Sequence, residues 1–282
     1  MMAPLKDISA RQPLVSVILP TYNRAWSLKT AMDSVLFQDY PNIELIVIDD
    51  GSEDHTQKLL QAYKNKILVL SQENAGVSAA RNRGIEKSRG DFIALLDSDD
   101  AWDRRKISCQ IDFFKANPKA LICQTQEIWI RNHKRVNPKI KHEKPSGMIF
   151  EQSLNLCLVS PSAVMMKKEV FEQKGYFNEN FLVCEDYDLW LRISSTLPVF
   201  LIDKPYTIKN GGHKDQLSNQ HSQDKFRIHS LKSLLNSNTL TKEQSLKAKK
   251  VFKKKCAIYG NGCIKRGRKK EGESYLNLGK SV

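Results

Sequence analysis

The sequence of 282 residues lacks several features that mark common protein classes. It contains no apolar run near the roughly 18 residues that a membrane-spanning helix needs, and its polar start does not resemble a secretion signal. Its six cysteines include no CxxC pair, which argues against a zinc site and against a disulfide framework. We therefore expect a cytoplasmic protein whose thiols are reduced and mostly buried.

Negative charge is scarce in the last part of the chain. The formal net charge is +14, and residues 241–282 hold 13 Lys or Arg against 3 Glu, so this segment alone carries +10. Such a basic tail is typical of proteins that touch anionic lipid or nucleic acid, and a solvated helix face is the alternative. No RRM, KH or helix-turn-helix signature accompanies the charge, so we expect no nucleic acid as a partner.

The first hundred residues do contain a regular alternation of short apolar runs and amphipathic stretches. This alternation is typical of a parallel sheet covered by helices on both faces. The apolar runs predict strands over residues 15–19, 44–49, 66–70 and 91–96, and the helical spacings cover 27–38, 56–64 and 77–88.

The rest of the chain is less regular. A helix is predicted over 104–117 and a loop or hairpin over 132–145, and only helices are predicted after about residue 217. The remaining strands are predicted over 121–130, 163–166 and 199–202.

Polar, turn-prone residues follow each of the first four predicted strands, at the sheet edge where folds of this type bind ligands. The most acidic of these turns is Asp97-Ser98-Asp99-Asp100. Closely spaced carboxylates there can hold a hard divalent cation that also binds phosphate oxygens, although a plain acidic turn is the alternative.

Two other strand ends carry residues suited to a nucleotide. Asp50 can accept hydrogen bonds from a base or ribose, or it can cap the next helix. Gly76 precedes a predicted helix and Arg81 lies one turn into it, an arrangement that suits a phosphate. The alternative for Arg81 is a solvated helix face.

Residues 15–24, 48–54, 74–84 and 95–100 together resemble glycosyltransferase family 2 in order and spacing, and residues 185–192 extend the resemblance. It implies an α/β protein of the GT-A fold, with a Rossmann-like, mostly parallel sheet flanked by helices. The catalytic domain would cover residues 1–217, with a nucleotide-sugar-binding half (14–103) and an acceptor-side half (104–217). Residues 218–282 would form a basic helical C-terminal extension.

The resemblance also implies roles for individual residues. Asp99 would ligate a divalent metal, Mg²⁺ or Mn²⁺, with His213 closing over it, while Asp100 stays an alternative because the motif allows a neighbouring alignment. Asp186 would be the general base, next to Glu185, whose like charge would raise its proton affinity. The residues implied to bind the nucleotide-sugar are Pro20, Thr21, Tyr22, Arg24, Asp50, Gly76, Arg81, Asp97 and Ser98.

The function that follows from the resemblance is an inverting transfer of a sugar from a nucleotide-sugar donor, UDP-linked by preference, to a hydroxyl of a saccharide or lipid-linked saccharide acceptor. Bacterial surface polysaccharide or glycolipid synthesis would be the setting. The basic extension would touch anionic lipid at the inner face of the membrane. The alternatives are a nucleic-acid-binding protein, an inactive scaffold of the same fold, and a nucleotidyltransferase, which the missing glycine-rich loop after the first strand disfavours.

Overall fold

The structure, a computed structural model, describes residues 12–213, 216 and 223–281. The strands in this part of the chain form one sheet of nine. In chain order they are β1 (Val15–Thr21), β2 (Ile43–Asp49), β3 (Leu68–Ser71), β4 (Phe92–Leu95), β5 (Ala101–Trp102), β6 (Ile122–Arg131), β7 (Lys134–Val136), β8 (Val164–Lys167) and β9 (Phe200–Gly211).

The strands lie in the order β3-β2-β1-β4-β8-β6-β9-β5, and β7 forms a hairpin with β6. The half made of β3, β2, β1 and β4 is entirely parallel, as the alternation predicts. In the other half, β8 runs antiparallel to both of its neighbours and β5 runs antiparallel to β9, while β6 and β9 are parallel. Because parallel strands end at one edge of a sheet, the polar turns after β1, β2 and β4 meet there.

Helices cover both faces of the sheet, which confirms the predicted α/β architecture. One apolar cluster joins the sheet to α1, α2 and α4, and a second joins its other face to α3, α6 and α7. The helices are α1 (Ala25–Leu36), α2 (Thr56–Gln61), α3 (Val77–Lys87), α4 (Lys106–Ala116), α5 (Phe150–Ser153), α6 (Glu169–Lys174), α7 (Glu185–Ser194), α8 (Gln223–Asn236), α9 (Lys242–Lys265) and α10 (Lys269–Lys280).

The C-terminal region is helical, as predicted, and it has a core of its own. Apolar side chains of α8, α9 and α10 pack with Tyr187 and Leu191 of α7 in a third buried cluster. The predicted boundary at 217/218 lies outside the described residues. Among the helices of the described part, none combines the length and the apolar character needed to cross a membrane.

The last strand is longer than the sequence predicts. A strand over 199–202 is expected because the polar residues 203–204 follow, but β9 continues to Gly211. It pairs with β6 along its length. The register shifts between Thr125 and Glu127 of β6, an irregularity of the bulge type, accommodate the polar residues of β9 without ending the strand. The extra length brings Lys209 and Asn210 to the same sheet edge as the acidic turn after β4.

The first residue of α4, Lys106, is fully buried. Its ammonium lies 4.0 Å from the centre of the Trp102 ring and donates to Gln110 Oε1 at 2.7 Å. No carboxylate among the described residues forms an ion pair with it within 4.0 Å. Burial therefore lowers the pKa of Lys106 from 10.5 to about 7.

Replacing Lys106 by Met should stabilise the protein most at pH 7 and progressively less toward pH 10.5. Between the lowered folded-state pKa and the unfolded-state value of 10.5, the unfolded chain binds one more proton, so wild-type stability rises with pH in that window. The pH-dependent part should be on the order of 5 kcal/mol over the window.

Urea unfolding of wild type and Lys106→Met at several pH values measures this difference, since both proteins share their other titrating groups. The matched control is Lys115→Met, at an exposed lysine of the same helix, which should leave the pH dependence unchanged. If the difference in unfolding free energy between wild type and Lys106→Met stays constant from pH 7 to 10.5, the pKa of Lys106 is not lowered.

Candidate active site

A single cavity of about 740 Å³ opens at the carboxyl ends of the parallel strands. It runs from the end of β1, past the acidic turn after β4, to the start of α7 and on to α8. All of the predicted site residues except His213 line it: Pro20, Thr21, Tyr22, Arg24, Asp50, Gly76, Arg81, Asp97, Ser98, Asp99, Glu185 and Asp186.

The end of β1 forms one wall of the cavity. Pro20 and Thr21 are the last two residues of the strand rather than part of the turn after it. Thr21 is 2% exposed, and its hydroxyl has no hydrogen-bond partner among the described residues. Tyr22 is 44% exposed beside it. An unpartnered buried hydroxyl next to an exposed ring suits a ligand that is both planar and polar.

Asp50 is held by the turn that precedes α3. Its carboxylate accepts hydrogen bonds from the backbone N–H groups of Ala75 and Gly76, at 3.0 and 2.9 Å, and from Gln72 Nε2 at 2.7 Å. Gly76 has a φ of +89°, a conformation that favours glycine. The Asp50 carboxylate therefore binds the backbone N–H groups that precede α3. This arrangement agrees with the helix-capping alternative for Asp50.

Arg81 lies inside the protein, so the alternative of a solvated helix face is wrong. The residue is 3% exposed, and its guanidinium donates to Asp97 Oδ1 and to Glu185 Oε1, each at 2.7 Å. It also lies 5.0 Å from the centre of the Phe177 ring. Each terminal nitrogen thus donates one of its two N–H groups to a carboxylate.

The three carboxylates of the acidic turn after β4 differ in how far they are buried. Asp100 is 2% exposed, and its two oxygens accept from Ser162 Oγ at 2.6 Å and from the Asn210 backbone N–H at 2.9 Å. Burial and the neighbouring Asp99 charge raise the pKa of Asp100 well above its ordinary value. The side chains of Asp97 and Asp99 are 27% and 17% exposed and face the cavity.

Asp99 and His213 meet across the cavity rim. His213 Nε2 lies 2.7 Å from Asp99 Oδ2, and the His213 ring packs edge-on against Trp26 at 5.3 Å. Arg24 lies on the same rim, with its guanidinium 5.6 Å from the centre of the Trp26 ring. The loop after β9 is therefore in contact with both the acidic turn and the start of α1.

The pair of Asp99 and His213 fits a Mg²⁺ or Mn²⁺ ion that is shared with a substrate. Within the described residues, no group of three or more His, Cys, Asp or Glu side chains is arranged to hold a metal ion. Magnesium sites of phosphate-binding enzymes need only one or two protein carboxylates, because phosphate oxygens and water complete the shell.

Helix α7 begins at the cavity with two adjacent acidic residues. Glu185 is 5% exposed, and its burial together with the Asp186 charge raises its pKa to about 7, against the opposing effect of Arg81. Asp186 is partly exposed and accepts from the Cys157 thiol at 3.4 Å.

Sequence reasoning missed Lys209, Cys157 and Arg227, which also line the cavity. Burial opposes the charge of Lys209, but surrounding carboxylates, first Glu127 and then Asp100, raise its pKa above the ordinary value. The lysine donates to Ser160 Oγ at 3.2 Å. No local sequence signal marks these residues, because each becomes part of the site only through contacts with distant segments.

Comparison with known proteins gives the family. A sequence profile described as Glycosyl transferase family 2 matches residues 16–175. The match covers more than half of the chain, so the chain belongs to this family.

Two relatives and one solved structure illustrate the similarity. An uncharacterized glycosyltransferase of Rickettsia prowazekii is 34% identical over 212 residues, 73% of this chain and 66% of the relative. WfgD of Escherichia coli, a UDP-Glc:alpha-D-GlcNAc-diphosphoundecaprenol beta-1,3-glucosyltransferase, is 35% identical over 182 residues, 64% of this chain and 69% of WfgD. Staphylococcus aureus TarS 1-349 in complex with UDP-GlcNAc superposes with a TM-score of 0.70 at 18% identity, covering 86% of this chain and 72% of TarS 1-349.

The likeness to TarS shows the GT-A fold alone, because the identity is low. The chain spans 32% to 66% of the length of the Rickettsia relatives that it matches. The activities of those longer proteins therefore do not transfer as a whole.

Replacing Arg81 by Met should lower the free energy of unfolding by about 3–5 kcal/mol, because it leaves a buried carboxylate without its partner. The second substitution Glu185→Gln in the same chain should recover part of that loss, since it removes the unpaired charge. Lys87→Met, at an exposed lysine of the same helix, is the matched control. The free energies of unfolding are measured in urea at pH 8. If the double variant is no more stable than Arg81→Met, the unpaired charge of Glu185 is not the cause of the loss.

Proposed function

We propose that the chain catalyses an inverting transfer of a sugar from a UDP-linked donor to an acceptor hydroxyl. The observation that carries the proposal is the convergence of the implied donor residues and of Asp186 on one cavity. Its volume of about 740 Å³ is within the range of sites that enclose a ligand of this size. WfgD is a UDP-Glc-dependent enzyme by name, and TarS 1-349 was crystallised with UDP-GlcNAc; both support UDP as the nucleotide.

The donor base would lie against Tyr22, with the free hydroxyl of Thr21 and the backbone near Pro20 at its polar edge. Asp97 would meet the ribose, because its second carboxylate oxygen is not used by Arg81. Asp50, Gly76 and Ser98 would shape the floor of this pocket, and Arg24 would close its rim.

Asp99 and His213 would hold the divalent metal together with the donor diphosphate. When bound, such an ion offsets the negative charge that the diphosphate gains as it departs. Asp100 would keep the acidic turn in shape through Ser162 and Asn210 and would not ligate the metal itself.

Asp186 would act as the general base. The acceptor oxygen attacks the anomeric carbon while the bond from that carbon to the diphosphate oxygen breaks, and the hydroxyl proton moves to Asp186. One displacement inverts the anomeric centre. Glu185 would not take the proton, because its carboxylate is tied to the buried Arg81; it would fix the start of α7 and so the position of Asp186.

The acceptor would be a saccharide or a lipid-linked saccharide of bacterial surface polysaccharide or glycolipid synthesis. The acceptor in the name of WfgD, a diphosphoundecaprenol-linked sugar, supports this class. The exposed face of α9 carries Lys249, Lys250, Lys253 and Lys254, which would attract anionic lipid and keep the enzyme peripheral at the inner face of the membrane.

Two variants test the proposed roles separately: Asp186→Asn tests the general base, and Asp99→Ala tests the metal ligand. A panel of nucleotide-sugars with Mn²⁺ or Mg²⁺ first identifies the donor by release of nucleoside diphosphate. Asp186→Asn should then lower kcat by roughly 10²–10⁴-fold while the donor still binds. Asp99→Ala should abolish the metal dependence of donor binding.

Donor binding is measured by calorimetry and transfer by product analysis, including the anomeric configuration by NMR. The exposed Asp203→Asn is the control and should behave as wild type. Full transfer activity in Asp186→Asn, or a product with retained configuration, would refute the assigned mechanism.

Replacing Lys249, Lys250, Lys253 and Lys254 together by Gln should release the protein from anionic vesicles. Each lysine near such a surface contributes about 1 kcal/mol, so the four should weaken binding by roughly two to three orders of magnitude. Substitution is preferable to deletion, because α9 also supplies Phe252 and other residues of the third core cluster.

Co-sedimentation with phosphatidylcholine vesicles, with and without phosphatidylglycerol, gives the binding. The control replaces four exposed lysines of the donor-binding half, which are Lys58, Lys64, Lys66 and Lys87. Equal losses in both fourfold variants would mean that the α9 face has no special role.

A further inference from the structure

The cavity does not end at the candidate base Asp186. Beyond the start of α7 it continues along residues of α8, where Gln223 and Arg227 form the wall. Helix α8 belongs to the C-terminal helical region, so this region supplies part of the cavity lining. Because the donor side is at the opposite end, the α8 wall faces the space left for the acceptor.

Arg227 is one of the residues that line this end of the cavity. Its two terminal nitrogens donate to Asp224 Oδ1 at 3.3 Å and to Gln223 Oε1 at 2.9 Å, both on its own helix. The guanidinium also lies 5.9 Å from the centre of the Tyr187 ring. Its side chain is 17% exposed, and Nε is buried with no hydrogen-bond partner among the described residues.

The charges around Arg227 do not balance locally. Asp224 accepts from Arg227 and also from Lys255 Nζ at 3.2 Å, so one carboxylate serves two cations. The Lys255 ammonium makes one further hydrogen bond, to the neutral Asn155 backbone oxygen at 3.2 Å. Among the described residues, the ion pairs at this wall thus set two cations, Arg227 and Lys255, against the one carboxylate of Asp224. A neutral sugar would not need this positive charge.

We propose that Arg227 binds a phosphate group attached to the acceptor sugar and thereby orients the acceptor hydroxyl toward Asp186. The inference rests on the proposed function and names the chemical class of its acceptor. A guanidinium suits phosphate because its planar set of N–H donors can bind two oxygens at once. Tyr187, which Arg227 overlies, directly follows Asp186 in α7, so the phosphate would lie about one sugar length from the base.

The chemistry of the acceptor can be tested with defined compounds. The probes are hexose and N-acetylhexosamine 1-diphosphates that carry a short alkyl chain, each matched by the neutral alkyl glycoside and by the corresponding uronic acid glycoside. The measured quantity is the ratio of kcat/KM for the diphosphate to kcat/KM for its neutral match, with the donor held at saturation. Wild type should favour the diphosphates by tenfold or more.

The variant Arg227→Gln should lower this ratio at least tenfold, mainly through a higher KM for the diphosphates. Arg227→Lys should restore part of the ratio, because it returns the charge without the planar donors. Lys225→Gln, at a lysine of the same helix outside the cavity lining, is the matched control and should keep the wild-type ratio. Using a ratio within one protein removes effects that a loosened α8 would have on all acceptors alike.

Several outcomes would overturn the inference. A wild-type enzyme that uses neutral glycosides as well as diphosphates has no phosphate subsite, and a preference for uronic acid glycosides would assign Arg227 to a carboxylate instead. An unchanged ratio in Arg227→Gln would remove Arg227 from the subsite.

If Arg227→Gln fails to fold by circular dichroism, Asp224→Asn decides the question. This substitution removes the shared carboxylate, so the ratio should rise, and an unchanged or lower ratio would overturn the inference. Release of nucleoside diphosphate from the donor without acceptor reports the proposed function separately. Its absence with all donors would count against that function and not against the acceptor class.

Discussion

The buried guanidinium of Arg81 joins the two halves of the molecule. It comes from α3 of the parallel half, and it bridges Asp97 after β4 and Glu185 at the start of α7, which lies 104 residues away from it in sequence. Two carboxylates that share one cation in a buried place would repel each other without it. This one side chain therefore ties the acidic turn after β4 to the start of α7 within the cavity.

Burial divides the many acidic residues of the site into two groups with different tasks. Asp50 and Asp100 are 3% and 2% exposed, and both oxygens of each carboxylate accept hydrogen bonds from protein donors. Asp99 and Asp186 keep access to the cavity. From sequence, the acidic turn after β4 can thus be interpreted as a single metal site, although one of its three carboxylates, that of Asp100, holds the turn in place through Ser162 and Asn210.

The parallel half of the fold was predictable because its signals are local. Each apolar run and the turn after it lie within about ten residues, and the parallel pairing follows from the alternation with helices. The full length of β9 was not predictable, because its polar residues 203–204 end the apolar pattern and only the pairing with β6 carries the strand onward. Lys209, Cys157 and Arg227 were not predictable either, because they join the cavity only through contacts between segments that are distant in sequence. The other cavity residues were predictable because they belong to local motifs.

The C-terminal helices have three different surfaces, and this explains why one segment can be both structural and functional. Their apolar side packs on Tyr187 and Leu191 of α7, so it supports the helix that begins with Asp186. The start of α8 reaches the cavity with Arg227, and the outer face of α9 presents its lysines to solvent. An acceptor that carries phosphate next to a lipid chain would meet the second and third of these surfaces at once. The positive charge of the extension would then serve in two places. Arg227 would bind the acceptor phosphate in the cavity, and the lysines of α9 would attract anionic lipid at the membrane surface.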